Sequence, residues 1–471
     1  MIRFYLALWF AKFTNFMLRV THHSGSYLSG LIALKICPDM LKRFKNIDYD
    51  KVIFVTGTNG KSTTTHLIVD GLESAGKTVA SNREGANMET GAVTTLIRNS
   101  SLGGKVKTEF VVLETDEAFV YKIYQGLPAK YLAVTNLQKD QIQRNATPEF
   151  VYNKLVPATK VVDTLILNGD EPNSKSFERF AKHPENTIYY SVDKNKKTLT
   201  EIGENDYSMA CYYCNSRIIF DYNNIDKVGK FTCSHCDNKS NETGYRVTDV
   251  DYKNRNFVVN GFKYNMPYEE PFFLYGYALA IAALTNFGLS EEEINKSFSN
   301  FSNVEGRVEY FKYKSETNGN EFLVKFVRTK QENTETLQSS INVVAQDEES
   351  KTVLIAIDLI EDFVPYFNNT LYPYEVDFSP LNKGEDTKII CFGKYVSYDI
   401  ATRLKYNGFR EDQIVIVEED GNLELMEELS KDEYKGKRYI ISQLLRYPKL
   451  KAEVKNLERV DYKEGAANEE A

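Results

Sequence analysis

Residues 52–76 read VIFVTGTNGKSTTTHLIVDGLESAG, and the fold turns on this stretch. Val52–Thr56 is a short β-branched and aromatic run of the kind that forms a strand buried on both faces. Residues 57–62 form a loop with two glycines, and the following residues run as a helix to a stop at Gly76. A strand, a glycine-bearing loop and a helix in that order aim backbone N–H groups at whatever anion lies at the helix N-terminus. Lys61 adds a charge for β- and γ-phosphates, and Ser62 a hydroxyl for Mg²⁺. The general phosphate-loop pattern would place a glycine at position 55, where this chain has Val55, so the loop is a variant form.

Outward from this unit the same alternation continues. KTVAS (77–81), EFVVLETD (109–116), YLAVTN (131–136) and TLILNGD (164–170) are each apolar for a few residues and close on polar groups. They predict strands of a mostly parallel sheet. In such sheets ligands bind beyond the carboxyl ends of the strands, which gathers residues 56–62, 114–117 and Asn136 into one region. A cysteine-bearing insert then occupies about 207–247, and NRNFVVNGFKYNMPY (254–268) predicts a hairpin. Residues 272–288 predict a buried Ala-rich helix, followed by a second helix with Ser290 as N-cap. After Glu305-Gly306-Arg307 another alternating set begins: EFLVKFV, TVLIAIDLI, KIICFG, QIVIVEE and RYIIS. The expected division is a helical segment over 1–48, a central domain over 49–310 and a smaller α/β domain over 311–471.

The chain has 471 residues, room for about three domains. A formal net charge of −8 argues against nucleic acid as a partner, since phosphate neutralisation needs a concentrated basic surface. The opening MIRFYLALWFAKFTNFMLRV is apolar but interrupted by Lys12, too short for a membrane span and without a clean cleavage site. It predicts a helix that packs on the body or rests at a membrane surface. Cys37 and Cys391 sit in apolar runs and read as buried thiols. Cys211, Cys214, Cys233 and Cys236 form C-x2-C-x18-C-x2-C, the spacing of a four-thiolate zinc site with no open position, hence structural. Such a metal replaces the core that a roughly 30-residue insert cannot build.

The sequence Gly-Thr-Asn-Gly-Lys-Ser resembles the variant phosphate loop of the Mur ligase family. Further stretches are similar to the MurT family, the Mur-ligase-like subunits of lipid II isoglutaminyl synthases. They are SNREGANMETG (81–91), VLETDEA (112–118), VTNLQKDQ (134–141), LNGDEP (167–172), the two cysteine pairs and EGRVEYF (305–311). The resemblance implies an α/β protein with a Mur-ligase-like central domain, an inserted zinc ribbon and a Rossmann-like C-terminal domain. It implies ATP, Mg²⁺ and structural Zn²⁺ as cofactors. ATP-binding roles fall on Gly57, Thr58, Asn59, Gly60, Lys61, Ser62, Asn136 and Arg307, and catalytic roles on Lys61 and Glu114. Ser62 and Glu114 would hold Mg²⁺, with Asp116 and Glu117 behind Glu114, and Asn87 matches a position lining the same cleft.

By the same resemblance, ATP phosphorylates the α-carboxylate of D-Glu in the lipid II stem peptide. Ammonia from a separate GatD-like glutaminase then gives D-isoglutamine at the inner face of the plasma membrane. The family carries a C-terminal stretch whose second Asp is thought to complete the partner's catalytic triad. Here NNTLYPYEVDF (368–378) stands in its place and puts Asn369 at that position. Asn369 does a weaker version of the task, Asp362 substitutes, or the function is lost. The family's Lys-Asn-Pro-x-Gly element is replaced by KFVRTKQENT (325–334), and two family Asn positions are Phe273 and Gly276. Two alternatives therefore stand beside the amidating enzyme: a folylpolyglutamate-type ligase that adds an amino acid, and a non-catalytic nucleotide-binding paralogue.

Overall fold

The computed structural model describes the chain except residues 21–26, 84, 139–147, 200–208, 226, 303–307, 330–332, 358–370, 395, 444–445, 463 and 467–471. Two compact units result: Met1–Gln138 with Thr147–Ser302, and Lys139–Ala146 with Asn303–Ala471.

The first unit is built on a nine-stranded sheet. Its strands are β1 (Val52–Thr56), β2 (Val79–Ser81), β3 (Phe110–Glu114), β4 (Tyr131–Val134), β5 (Thr164–Asn168), β6 (Ile188–Val192), β9 (Tyr245–Asp251), β10 (Asn256–Val259) and β11 (Phe262–Asn265). The hairpin of β7 (Ile218–Ile225) and β8 (Val228–Cys233) stands outside the sheet. The spatial order is β11-β10-β9-β6-β5-β4-β1-β3-β2, parallel from β2 to β9 with an antiparallel hairpin at one edge. Every residue of β1, β3, β4 and β5 is buried, as continuous apolar runs require of strands covered on both faces. β1 lies between β3 and β4, with Val55 level with both Glu114 and Ala133. The strand order reverses at β1, so the loops leaving β1, β3 and β4 open together into one crevice.

Helices cover the sheet. α1 (Ile2–Val20) buries Phe4, Ala7, Leu8 and Ala11 in the same core as Val52 and Phe54. The described residues of 1–48 thus contribute to the first unit's core. α2 (Leu28–Ile36) meets α4 (Glu89–Arg98) so closely that a Cβ on Gly30 would lie 2.0 Å from the Thr90 carbonyl oxygen. α3 (Lys61–Ser74) packs beside the Ala-rich helix Pro271–Asn286. The helix Glu291–Ser299 opens with the Ser290–Glu293 capping box that its sequence announces.

The second unit holds a seven-stranded sheet of β12 (Val308–Lys314), β13 (Glu321–Thr329), β14 (Lys351–Ala356), β15 (Lys388–Phe392), β16 (Ile414–Val417), β17 (Lys437–Gln443) and β18 (Leu457–Val460). Their order is β16-β15-β14-β17-β13-β12-β18, parallel through β13 and antiparallel at β12 and β18. The division between units falls at Ser302 and Asn303, and the expected boundary at Tyr310 lies inside β12, a single strand of this sheet. Cys37 and Cys391 are both buried.

Candidate active site

The crevice at the ends of β1, β3 and β4 is assembled by a few side chains that each bind backbone. Gly57 leaves β1 at φ 120°, and a Cβ there would lie 2.2 Å from Thr135 Oγ1 and 2.7 Å from the Asn136 carbonyl oxygen. Only glycine accepts both the angle and the approach. The Thr58 N–H donates to the Asn136 carbonyl at 2.8 Å, and its hydroxyl accepts from the Gln138 N–H at 3.0 Å. Asn136 closes on Asn59 in both directions, accepting from its N–H and donating to its carbonyl, each at 3.0 Å. The segment after β4 is thus a template on which the phosphate loop is moulded. Gly60, at φ 85°, then turns the chain into α3. The first turn of a helix has N–H groups without intrahelical acceptors and carries the positive end of the dipole.

Lys61 opens α3 and is 8% exposed. Its ammonium reaches back to the Gly57 carbonyl and pairs with Glu117 at 3.0 Å. Glu117 is itself buried, so two charges are held out of water at the mouth of the loop. Opposite, Glu114 ends β3 in a clamp made by Asn82. Asn82 accepts from the Glu114 N–H at 2.9 Å and donates to the Glu114 carbonyl at 2.8 Å. Glu114 is 5% exposed, and its Oε2 is buried without a hydrogen-bond partner. A buried carboxylate oxygen left so is costly, and it is the kind of donor that a hard cation takes. The residues therefore fit a Mg²⁺ held by Glu114, with Ser62 in the first turn of α3. Asp116 turns away to local work, its Oδ1 accepting the Ala118 N–H at 3.0 Å while its N–H donates to the Asn87 carbonyl at 2.9 Å.

The LNGDEP turn after β5 braces this template from behind. Glu171 accepts the N–H groups of Leu137 at 3.0 Å, Asn173 at 3.0 Å and Ser174 at 2.7 Å. Asp170 accepts from the Val192 N–H at 2.8 Å and the Tyr275 hydroxyl at 2.9 Å. Both carboxyls are fully buried, and burial overrides these donors to push each up to about 7.

The insert brings its four cysteines together. All four sulfurs lie within 4.8 Å of one another. The knuckles supply amide donors to them: Tyr213 N–H to Cys211 Sγ at 3.3 Å and His235 N–H to Cys233 Sγ at 3.4 Å. Asn238 adds a side-chain donor to Cys211 Sγ at 3.4 Å. Four sulfurs at the corners of so small a volume, each pair on a tight turn, are the donor set of a tetrahedral Zn²⁺ with no place left for substrate. The hairpin docks on the LNGDEP turn, with the Gly229 N–H donating to the Asp170 carbonyl and the Asn241 N–H to the Gly169 carbonyl, both at 3.0 Å.

Comparison with known proteins follows the same division. The Mur ligase middle domain family matches residues 55–231, and the MurT ligase C-terminal family matches residues 331–444. The chain is 26% identical over 407 residues to the MurT subunit of a glutamine-hydrolysing lipid II isoglutaminyl synthase of Staphylococcus aureus (strain COL), covering 86% of this chain and 88% of the relative. It is 30% identical over 295 residues to the corresponding subunit of Streptococcus pneumoniae, covering 61% of this chain and 64% of that one. This is a Mur ligase-family chain of the MurT type. In fold it is similar to a pseudomurein peptide ligase type C from Methanothermus fervidus, with a TM-score of 0.64 and 17% identity over 89% of this chain and 81% of the other.

In this MurT-type chain Gly57, Thr58, Asn59, Gly60, Lys61, Ser62, Glu114 and Asn136 come together at one crevice. Arg307, Asn369 and Asp362 lie outside the described residues. Phe273 is buried among Tyr268 and Tyr277, and Gly276 faces Thr63 and Thr64 of α3. Three contributors escaped the sequence reading. Glu117 was placed behind Glu114 but pairs with Lys61, because the turn after β3 swings it across the crevice. Asn82 carried no signal of its own. Glu171 did, since an acidic residue directly before Pro172 is an N-cap signature, and it caps the short helix Pro172–Lys175.

Proposed function

We propose that this chain is the ATP-dependent subunit of a lipid II isoglutaminyl synthase. It would convert the α-carboxylate of D-Glu in the lipid II stem peptide to the amide, with ammonia delivered by a GatD-like glutaminase at the inner face of the plasma membrane. The observation that carries this reading is the pairing of a glycine-moulded phosphate loop and buried Lys61 with a buried, unpartnered Glu114 oxygen across one crevice. The similarity to MurT subunits over most of the chain supplies the substrate class.

The chemistry balances in two steps. A carboxylate oxygen of the substrate attacks the γ-phosphorus of ATP, the bond to the β–γ bridging oxygen breaks, and ADP leaves. Ammonia then attacks the carbonyl carbon of the acyl phosphate, inorganic phosphate departs, and the nitrogen loses a proton to give the amide. Mg²⁺ at Glu114 would neutralise charge on the phosphates. Lys61 would exchange its Gly57 and Glu117 partners for phosphate oxygens, and the N–H groups at the start of α3 would hold the triphosphate in line. Zn²⁺ on the four cysteines would have a structural task only.

The test is an assay of the zinc-loaded chain with ATP, Mg²⁺, lipid II and ammonium chloride, read as ADP release and mass conversion of carboxylate to amide. Amidation that requires ATP supports the proposal. Absence of ATP uptake by calorimetry, alone and with a glutaminase partner, overturns it. The replacement of the triad-completing Asp by Asn369 favours a second reading, a nucleotide-binding paralogue without amidation. ATP binding with no amide formed from free ammonia would select it.

A further inference from the structure

α1 is apolar on two opposite faces, and only one of them is used by the fold. Phe4, Ala7, Leu8 and Ala11 recur at helical spacing and are buried. On the far side Ile2, Leu6, Trp9, Phe10, Phe13 and Phe16 form a second stripe, between 52% and 79% exposed. At 1.5 Å per residue this stripe runs for about 21 Å along the surface. Leu102 extends it, 67% exposed on a loop whose Leu102 carbonyl accepts the Trp9 indole N–H at 3.0 Å. Large aromatic side chains are rarely left in water over so long a contiguous stripe without an occupant.

The charge around the stripe identifies that occupant. The chain carries 66 Asp and Glu against 58 Lys and Arg, yet none of the acidic residues precedes Asp39. Arg3 and Arg19 flank the stripe on α1, and Lys105 and Lys107 stand exposed on the loop that bears Leu102. An apolar, aromatic face flanked by Arg3, Arg19, Lys105 and Lys107, on a helix lying along the body, matches an anionic bilayer surface. No described helix is long and apolar enough to cross a membrane, so the contact is one of lying in the interface. A second copy of the chain would set these cations against each other.

We propose that the outer face of α1 is a membrane-docking surface that seats the first unit on anionic phospholipid. The inference deepens the membrane-face setting proposed above, and its evidence is independent of the nucleotide chemistry. It places a lipid-linked substrate and the catalytic chain on one surface, so that encounter becomes a two-dimensional search.

Trp9 is the chain's single tryptophan, so its emission reports this face alone. The full chain, without nucleotide, is titrated with phosphatidylglycerol/phosphatidylcholine vesicles and with pure phosphatidylcholine vesicles, and flotation is measured in parallel. Expected are a shift of Trp9 emission to shorter wavelength and co-flotation with the anionic vesicles, both weakened by salt. Phe10→Glu/Phe13→Glu lowers the partition by roughly a hundredfold, about tenfold for each Phe withdrawn from the interface. Arg3→Glu/Arg19→Glu, on exposed positions, weakens binding to anionic vesicles without altering the apolar stripe. No flotation with anionic vesicles overturns the proposal, as does equal binding to neutral ones. A Trp9 shift that follows protein concentration without lipid overturns it in favour of self-association. Because no ATP is present, failure here leaves the amidation reading untouched, and the converse holds.

Discussion

Lys61 and Glu117 form a buried ion pair to which the proposed function also gives a chemical role. Each is almost wholly buried and each neutralises the other. Removing one partner of such a pair strands a charge in a poorly solvated place, at a cost of about 3 kcal/mol or more. Lys61→Ala is therefore expected to lower the unfolding free energy by that order and to abolish ATP-dependent turnover. Lys61→Ala/Glu117→Gln should recover most of the stability, measured by denaturant unfolding, and none of the turnover. Recovery of turnover in the double variant would remove Lys61 from the mechanism. Asp170 and Glu171 give a second prediction, on pH. Both are shifted up, from ordinary values of 3.8 and 4.5 to about 7, by burial. The folded state holds these protons more tightly than the unfolded chain. Their contribution to stability is therefore full below about pH 4, falls as pH rises from about 4 to about 7, and levels off above. Asp170→Asn keeps an acceptor for the Val192 N–H and the Tyr275 hydroxyl, and should make that fall shallower in thermal melts taken across the interval. An unchanged slope would mean that Asp170 is ionised throughout.

The four-cysteine insert, the LNGDEP turn and the Gly57–Ser62 loop form a relay of hydrogen bonds between elements. The ribbon binds the backbone of Gly169 and Asp170, Glu171 binds Leu137, and Asn136 binds Asn59. Removal of zinc is expected to unfold the β7–β8 hairpin and, through that relay, to weaken ATP binding by about tenfold although no cysteine lies at the crevice. Calorimetry before and after chelation, and on Cys233→Ser, measures it, and unaltered ATP affinity of the zinc-free protein would show the relay to be inert. These same elements mark how far the sequence could be read. β1, β3, β4 and β5 were legible because continuous apolar runs closing on polar residues have few other solutions. The cysteine spacing was legible because tetrahedral coordination restricts it. β6, β12 and β18 were not singled out. IYYSV and LERV are short, and VEYFKYK follows directly on the EGR triplet, where Lys312 and Lys314 at its exposed positions mask a strand whose other positions are buried. The pairing of Lys61 with Glu117 depends on a turn whose course no local pattern encodes.

The whole molecule carries a candidate nucleotide crevice in its first unit and, in its second, a C-terminal sheet that matches the MurT ligase C-terminal family. If the chain works with a glutaminase, each unit contributes to a different half of the reaction, and the two halves can be assayed apart. Ammonia supplied as ammonium chloride bypasses glutamine hydrolysis and reports the crevice alone. Glutamine supplied with the partner reports both. By the resemblance to MurT subunits, Asn369 falls at the position of the Asp thought to complete a Cys-His-Asp triad in the partner, and on the proposed function it takes that place. An amide orients a histidine ring but does not stabilise the imidazolium that forms during hydrolysis, and in a serine-protease triad the Asp-to-Asn change is very costly. Asn369→Asp is accordingly expected to raise glutamine-dependent amidation relative to ammonia-dependent amidation by about tenfold or more. The ratio of the two rates, measured on the same preparation, cancels differences in folding and zinc content. A ratio that does not move on Asn369→Asp, but falls on Asp362→Asn, would assign the carboxylate to Asp362 instead. A ratio indifferent to both would mean that neither Asn369 nor Asp362 takes part in the partner's hydrolytic site.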